Sequence, residues 1–201
     1  MKAIFQSIAA FFVSIFMFLF GWAMPKQDPP IHPDAGYYYD LFQADSGFLG
    51  LHSEAGEFTD ASLSTYALIK GGYEMPISEA DAIIERHFGR KIQNYDNGTS
   101  YTIPGTDRIA LPGGCGYPEA YMVLIGDLTE NSDGSVTGTF KNYSLDAIWE
   151  DYERRRYDTV REYLLSGKAS NSPKPELLRV TFEVREDAGG EYLFYHSVEN
   201  V

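Results

Sequence analysis

Cysteine is almost missing from this chain: Cys115 stands alone among 201 residues. No internal disulfide can form, so packing must hold the fold by itself. Basic residues are scarce too, with 16 Lys and Arg against 29 Asp and Glu and a formal net charge of −13. A surface of that sign repels phosphate backbones and anionic headgroups, which argues against nucleic acid as a partner. The four histidines, His32, His52, His87 and His196, are scattered. None of them forms an HxH or HExxH pair, the usual local trace of a zinc site, so no metal or other cofactor is expected. There is no internal repeat.

What the chain does have is a leader. From Ala3 to Met24 it carries 22 residues without a charge, interrupted only by Gln6, Ser7 and Ser14. About 20 apolar residues suffice to cross a hydrocarbon core. Gly21 and Ala23 also place small residues three positions and one position before a cut after Ala23, as a secretory signal would. Residues 1–24 therefore read as a signal peptide or an N-terminal transmembrane anchor. In both cases Lys2 holds the amino terminus on the cytoplasmic side and the rest is exported or membrane-tethered. A lipid anchor would need a cysteine near the leader's end, and Cys115 is too far away. The exported part carries a formal charge of −14, from 15 basic and 29 acidic residues. Its poverty in cysteine fits a bacterial source, which makes the sequons at Asn97 and Asn142 chance occurrences. Residues 25–36 are a proline-rich linker, a semi-rigid stalk. Residues 37–201 are of a size for one domain.

Within that domain the segment up to Glu57 is irregular and aromatic, with a short helix expected around 38–43. Thr59-Asp60 caps a helix with Leu63, Tyr66 and Ala67 on its apolar side, stopped by Gly71-Gly72. Ser78, with Asp81 three residues on, predicts an N-cap for the next helix. Ala80, Ile83, Ile84, His87 and Phe88 form its buried stripe, and Gly89 ends it. The period then changes to two. Short strands are expected at 100–103 and 108–111, and longer ones at 120–128 and 136–143 around an Asn131–Gly134 turn. One long helix is expected over 144–166, capped by Ser144. A closing hairpin follows, with Leu178, Val180, Phe182 and Val184 alternating and 192–196 returning. The expected fold class is α+β: an antiparallel curved sheet, a β-meander with one long inserted helix, packed against helices.

The capped helix ending His87-Phe88-Gly89, the glycine-turn hairpin and the closing pair 180–183 and 192–197 resemble small exported proteins of Gram-positive bacteria. Their folds are often similar to the cystatin/NTF2-like group, which implies such a roll over roughly residues 76–200. The resemblance is one of pattern and implies no catalytic residue.

Motifs for chemistry are thin. Cys115 lies in a glycine-rich loop, and a nucleophile would need a histidine or helix terminus beside it. Thr129–Gly134 fails as a calcium loop, since Thr129 and Phe140 stand where acids are required. The 149–158 run of acids and arginines reads as a solvated helix face. Tyrosine is the one surplus, at 15 residues. Tyr37–Tyr39 adjoin, and Tyr95, Tyr101, Tyr117 and Tyr121 crowd the glycine-rich loops, where tyrosine makes recognition surfaces. These four are the candidate binding residues; no catalytic or metal site is assigned. The expected function is a non-enzymatic extracytoplasmic binding or interaction domain, its partner an unknown protein or cell-envelope ligand. The alternative is a small cell-envelope hydrolase or transferase with its site in the sheet's concavity.

Overall fold

The computed structural model describes residues 29–52, 58–112, 120–144, 148, 159–169 and 174–201, the side chains of 50–52 excepted. Among these residues no helix is long and apolar enough to cross a membrane; the leader lies outside them. The fold is α+β with two antiparallel sheets. One has three short strands, β1 (Glu74–Pro76), β2 (Tyr101–Thr102) and β3 (Arg108–Ala110), in the order β1-β3-β2. The other is a four-stranded meander of β4 (Ala120–Glu130), β5 (Val136–Ser144), β6 (Glu176–Asp187) and β7 (Gly190–Asn200), in sequence order.

The helices are α1 (Ala35–Phe42), α2 (Ser46–His52), α3 (Asp60–Gly71), α4 (Ile77–Phe88) and α5 (Val160–Leu165). The first four pack on one side of the meander. Phe42 of α1 drives into that face, its ring 4.7 Å from Phe140 and 5.0 Å from Phe182, and Phe88 of α4 lies 5.5 Å from Tyr195. Alternation puts Leu178, Val180 and Phe182 wholly inside, as expected, whereas Val184 lies past the core and is exposed. Register shifts at Ile125/Thr129 and Thr181/Phe182 mark bulges, which bend an antiparallel pair. The β6–β7 hairpin reaches α4 at its tip: Arg86 pairs with Asp187 and lies 4.3 Å over the Tyr192 ring.

Several local expectations change. The stretch before Glu57 holds two helices, not one. Thr59 does cap α3, accepting a bond from Ser62 N–H, but α3 is buried on every side from Ser62 to Leu68. Its hydroxyls permit this because Ser64 donates back to the Asp60 carbonyl at 2.8 Å. Ser78 is not the cap of α4. Strand β1 runs straight into the helix, Pro76 occupies the cap, and the Ile77 N–H bonds the Asp107 carbonyl instead. The carboxylate that would close the capping box, Asp81, accepts from the Tyr95 hydroxyl. The single long helix over 144–166 fails at its start and is interrupted at Thr159, while its end at Ser166 and Gly167 is as expected. Ser144 is the last residue of β5, opposite Ala120, and α5 starts afresh at Thr159, whose extended backbone and side-chain bond to Glu162 N–H form a new cap. Most of 145–158 lies outside the described residues.

Gly89 ends α4 at φ +66°, and a Cβ there would stand 2.9 Å from the Phe194 ring. Gly89→Ala is expected to cost about 1–2 kcal/mol for the left-handed backbone alone, with the ring clash added. Urea unfolding of the variant checks this.

Candidate functional site

The meander is buried on its second face as well, but only over β4 and β5. From Tyr121 to Ile125 the sequence does not alternate, and the structure shows why: Met122 and Leu124 face the helices while Val123 and Ile125 point the other way, all four buried. Two elements cover that second face. One is the end of the proline-rich segment. His32 N–H bonds the Leu124 carbonyl at 3.2 Å, Gly126 N–H bonds the Pro30 carbonyl at 2.8 Å, and Ile31 bridges Ile125. From Pro30 onward the residues assigned to a stalk are therefore laid against the edge of β4. The other is α5, held to α1 by Arg161, which grips Asp40 through Nε at 2.7 Å and Nη2 at 2.8 Å and the Gly36 carbonyl at 3.1 Å.

Between these covers lies a pocket of about 550 Å³, within the ~300–1,000 Å³ usual for small-molecule sites. Val123, Ile125 and Leu164 form a nearly solvent-free floor, and Ile31 supplies a wall. Lys141 and Tyr143 enter from β5, opposite Val123 and Tyr121 in register. The end of α5 forms the rim with exposed Ser166 and Gly167. Gly167 has φ +70° and Ile31 Cδ1 would lie 3.5 Å from its Cβ, so the glycine lets the two covers approach.

A second polar constellation sits inside the helical core. Asp45, 3% exposed, accepts from the Tyr195 hydroxyl at 2.6 Å and the Tyr66 hydroxyl at 3.2 Å on Oδ2, while Lys70 Nζ lies 2.5 Å from Oδ1 as an ion pair without hydrogen-bond geometry. Burial, then the Asp45 charge, pushes both phenols up, so they remain donors at any ordinary pH. Carboxylate and phenols are shut from solvent, a structural arrangement and not a reaction site.

Among the described residues, the sequence-predicted tyrosines make separate contacts. Tyr95 is half-buried on Asp81, and burial followed by that carboxylate raises its phenol. Tyr121 stacks on Tyr39 at 6.2 Å and 1°. Tyr101 is exposed on β2. Tyr117 and Cys115 lie outside the described residues. Asn97, in one sequon, spends its amide on the Asp60 carbonyl, Ser64 and the Asn94 carbonyl. Of the histidines, His32 Nδ1 accepts from Asp34 N–H at 3.0 Å. His196 Nε2 meets Glu183 at 2.7 Å, and Arg185 holds the same carboxylate at 2.7 Å while stacking over Phe194. No group of acids, histidines and cysteines suited to a metal occurs among the described residues.

His87 is buried, its Nδ1 2.8 Å from the Leu193 carbonyl, with Tyr66 and Tyr192 rings on either side. Nδ1 therefore carries the proton and donates. Burial is the main cause that lowers its pKa, with the Leu193 bond opposing it. A folded-state pKa below the unfolded value of about 6.5 leaves stability intact above that pH and erodes it as pH falls through and below it. The wild type is expected to lose urea resistance as pH falls below about 6.5, with His87→Gln showing a flatter dependence there. NMR titration should find the His87 ring neutral below its ordinary midpoint.

Comparison with family models, with curated proteins and with solved structures finds no match to this chain.

Proposed function

We propose that the chain is a membrane-tethered, extracytoplasmic binding domain without catalytic activity, and that its ligand site is the pocket between β4–β5, the proline-rich segment and α5. One observation carries the reading: the pocket is ligand-sized, and its wall is the same segment that joins the body to the apolar leader. The titratable groups support it by being occupied otherwise. Asp45 is sealed with two phenols and a lysine, and His87 is spent on a backbone carbonyl.

Protease treatment of intact bacterial cells expressing the full chain tests the location. The body should be digested from outside, and protection until lysis would sink the reading. The hydrolase alternative draws on the Glu183–His196 pair, a histidine oriented by a carboxylate as a general base is. Among the described residues no thiol or hydroxyl is bonded to that ring, which favours binding. Turnover of cell-envelope esters or peptides that vanished in His196→Ala would reverse the choice.

A further inference from the structure

We infer that the pocket takes one acyl chain of a membrane lipid from the leaflet beside the leader. This deepens the tethered-binding reading and rests on it.

The position of the pocket is the first argument. The apolar run ends at Met24, and Pro29, which lines the pocket, follows five residues later. Five residues reach at most about 18 Å even when fully extended. A leader lodged in a bilayer therefore keeps Pro29, and with it one wall of the pocket, within that distance of lipid.

The walls are the second. Val123, Ile125 and Leu164 are each no more than 3% exposed and yet border open space, while the rim at Ser166 is exposed. Apolar side chains at the base, with Lys141, Tyr143 and Ser166 adding polar surface around them, match an aliphatic chain that enters tail first and leaves its headgroup at the surface. A chain leaving a bilayer exchanges one apolar surrounding for another, so the pocket competes for it by fit and by its nearness to the lipid.

Charge is the third. The exported part carries −14, which holds anionic surfaces off in general. Lys141 lines this pocket and sets one cation beside it in an otherwise acidic body. The proline-rich wall is held by few bonds. It is joined to β4 by one isolated bridge and its two backbone bonds, at 3.2 and 2.8 Å. Small outward movement of Pro29–Ile31 admits a chain without disturbing the helical core.

The test uses the full chain in phosphatidylethanolamine–phosphatidylglycerol vesicles. These carry a diacyl lipid with a diazirine midway along one chain, and cross-links are located by mass spectrometry. Label is expected on the β4 peptide with Val123 and Ile125 and on the α5 peptide with Leu164. Val123→Trp fills the floor, and Ala169→Trp narrows the pocket from a part-exposed position outside the core, so the second serves if the first fails to fold. Each is expected to cut the label about ten-fold, a loss of about 1.4 kcal/mol in occupancy.

Label confined to residues 3–24 would overturn the inference, as would pocket label that both tryptophans leave unchanged. So would label obtained with the free fatty acid carrying the same diazirine but not with the diacyl lipid. A body that resists protease on intact cells overturns the extracytoplasmic reading whatever the label shows. An exported body without pocket label overturns the lipid assignment alone.

Discussion

Asp45→Ala is expected to lower the stability of the fold by about 3–5 kcal/mol, because it strands a lysine and two buried phenols around an empty site. The carboxylate gathers three groups from two distant parts of the chain: Tyr66 and Lys70 on α3, and Tyr195 on β7. Removing a single hydroxyl is milder. Tyr195→Phe leaves one lone pair unsatisfied and should cost about 1–3 kcal/mol. The contrast that identifies a structural cluster is the combined exchange of Asp45→Leu with Lys70→Met, Tyr66→Phe and Tyr195→Phe. Replacing a whole buried polar set by apolar groups of similar volume is often neutral, so the quadruple variant should recover most of the loss. Urea midpoints with unchanged m-values check all three results. A quadruple variant as unstable as Asp45→Ala would show that the cluster contributes more than mutual satisfaction.

The second large effect is at Phe42. Its ring is fully buried and meets Phe140, Phe182 and Tyr195 at 4.7, 5.0 and 6.2 Å. Phe42→Ala should therefore cost about 3–5 kcal/mol, as transfer and cavity terms add. Because α1 also anchors α5 through Asp40 and Arg161, loosening it should reach the pocket. Hydrogen exchange of 160–165 is expected to speed up in Phe42→Ala more than exchange in β7. Equal acceleration everywhere would indicate global unfolding alone.

How far the sequence speaks for itself differs between elements. The stripe on α4 was legible because Ala80, Ile84, His87 and Phe88 recur at helical spacing and Gly89 ends them. The meander was legible from alternation and the Asn131–Gly134 turn, which closes as expected with Asn131 N–H on the Ser135 carbonyl. The cap at Ser78 misled because a local capping pattern competes with a tertiary bond, and Ile77 N–H found Asp107. The full enclosure of α3 was invisible because serine and threonine read as surface until their hydroxyls are seen to bond their own helix. As for the site, the pocket did leave a trace. The unalternating Tyr121–Ile125 run requires a cover on both faces, though nothing in the pattern says which segment supplies it. Asp45 left none, since its partners lie 21 and 150 positions away.

That 150-position span carries a kinetic consequence. The bond from Tyr195 to Asp45 cannot close until the final strand exists, and β6–β7 supplies a large part of the surface on which α1 and α4 rest. Contacts so distant in sequence make for slow folding. A nascent chain is left without its last wall throughout synthesis. If the body is exported in extended form, as proposed, such lateness is an asset: the chain would remain slack during transit and condense only after its C-terminal hairpin had passed through.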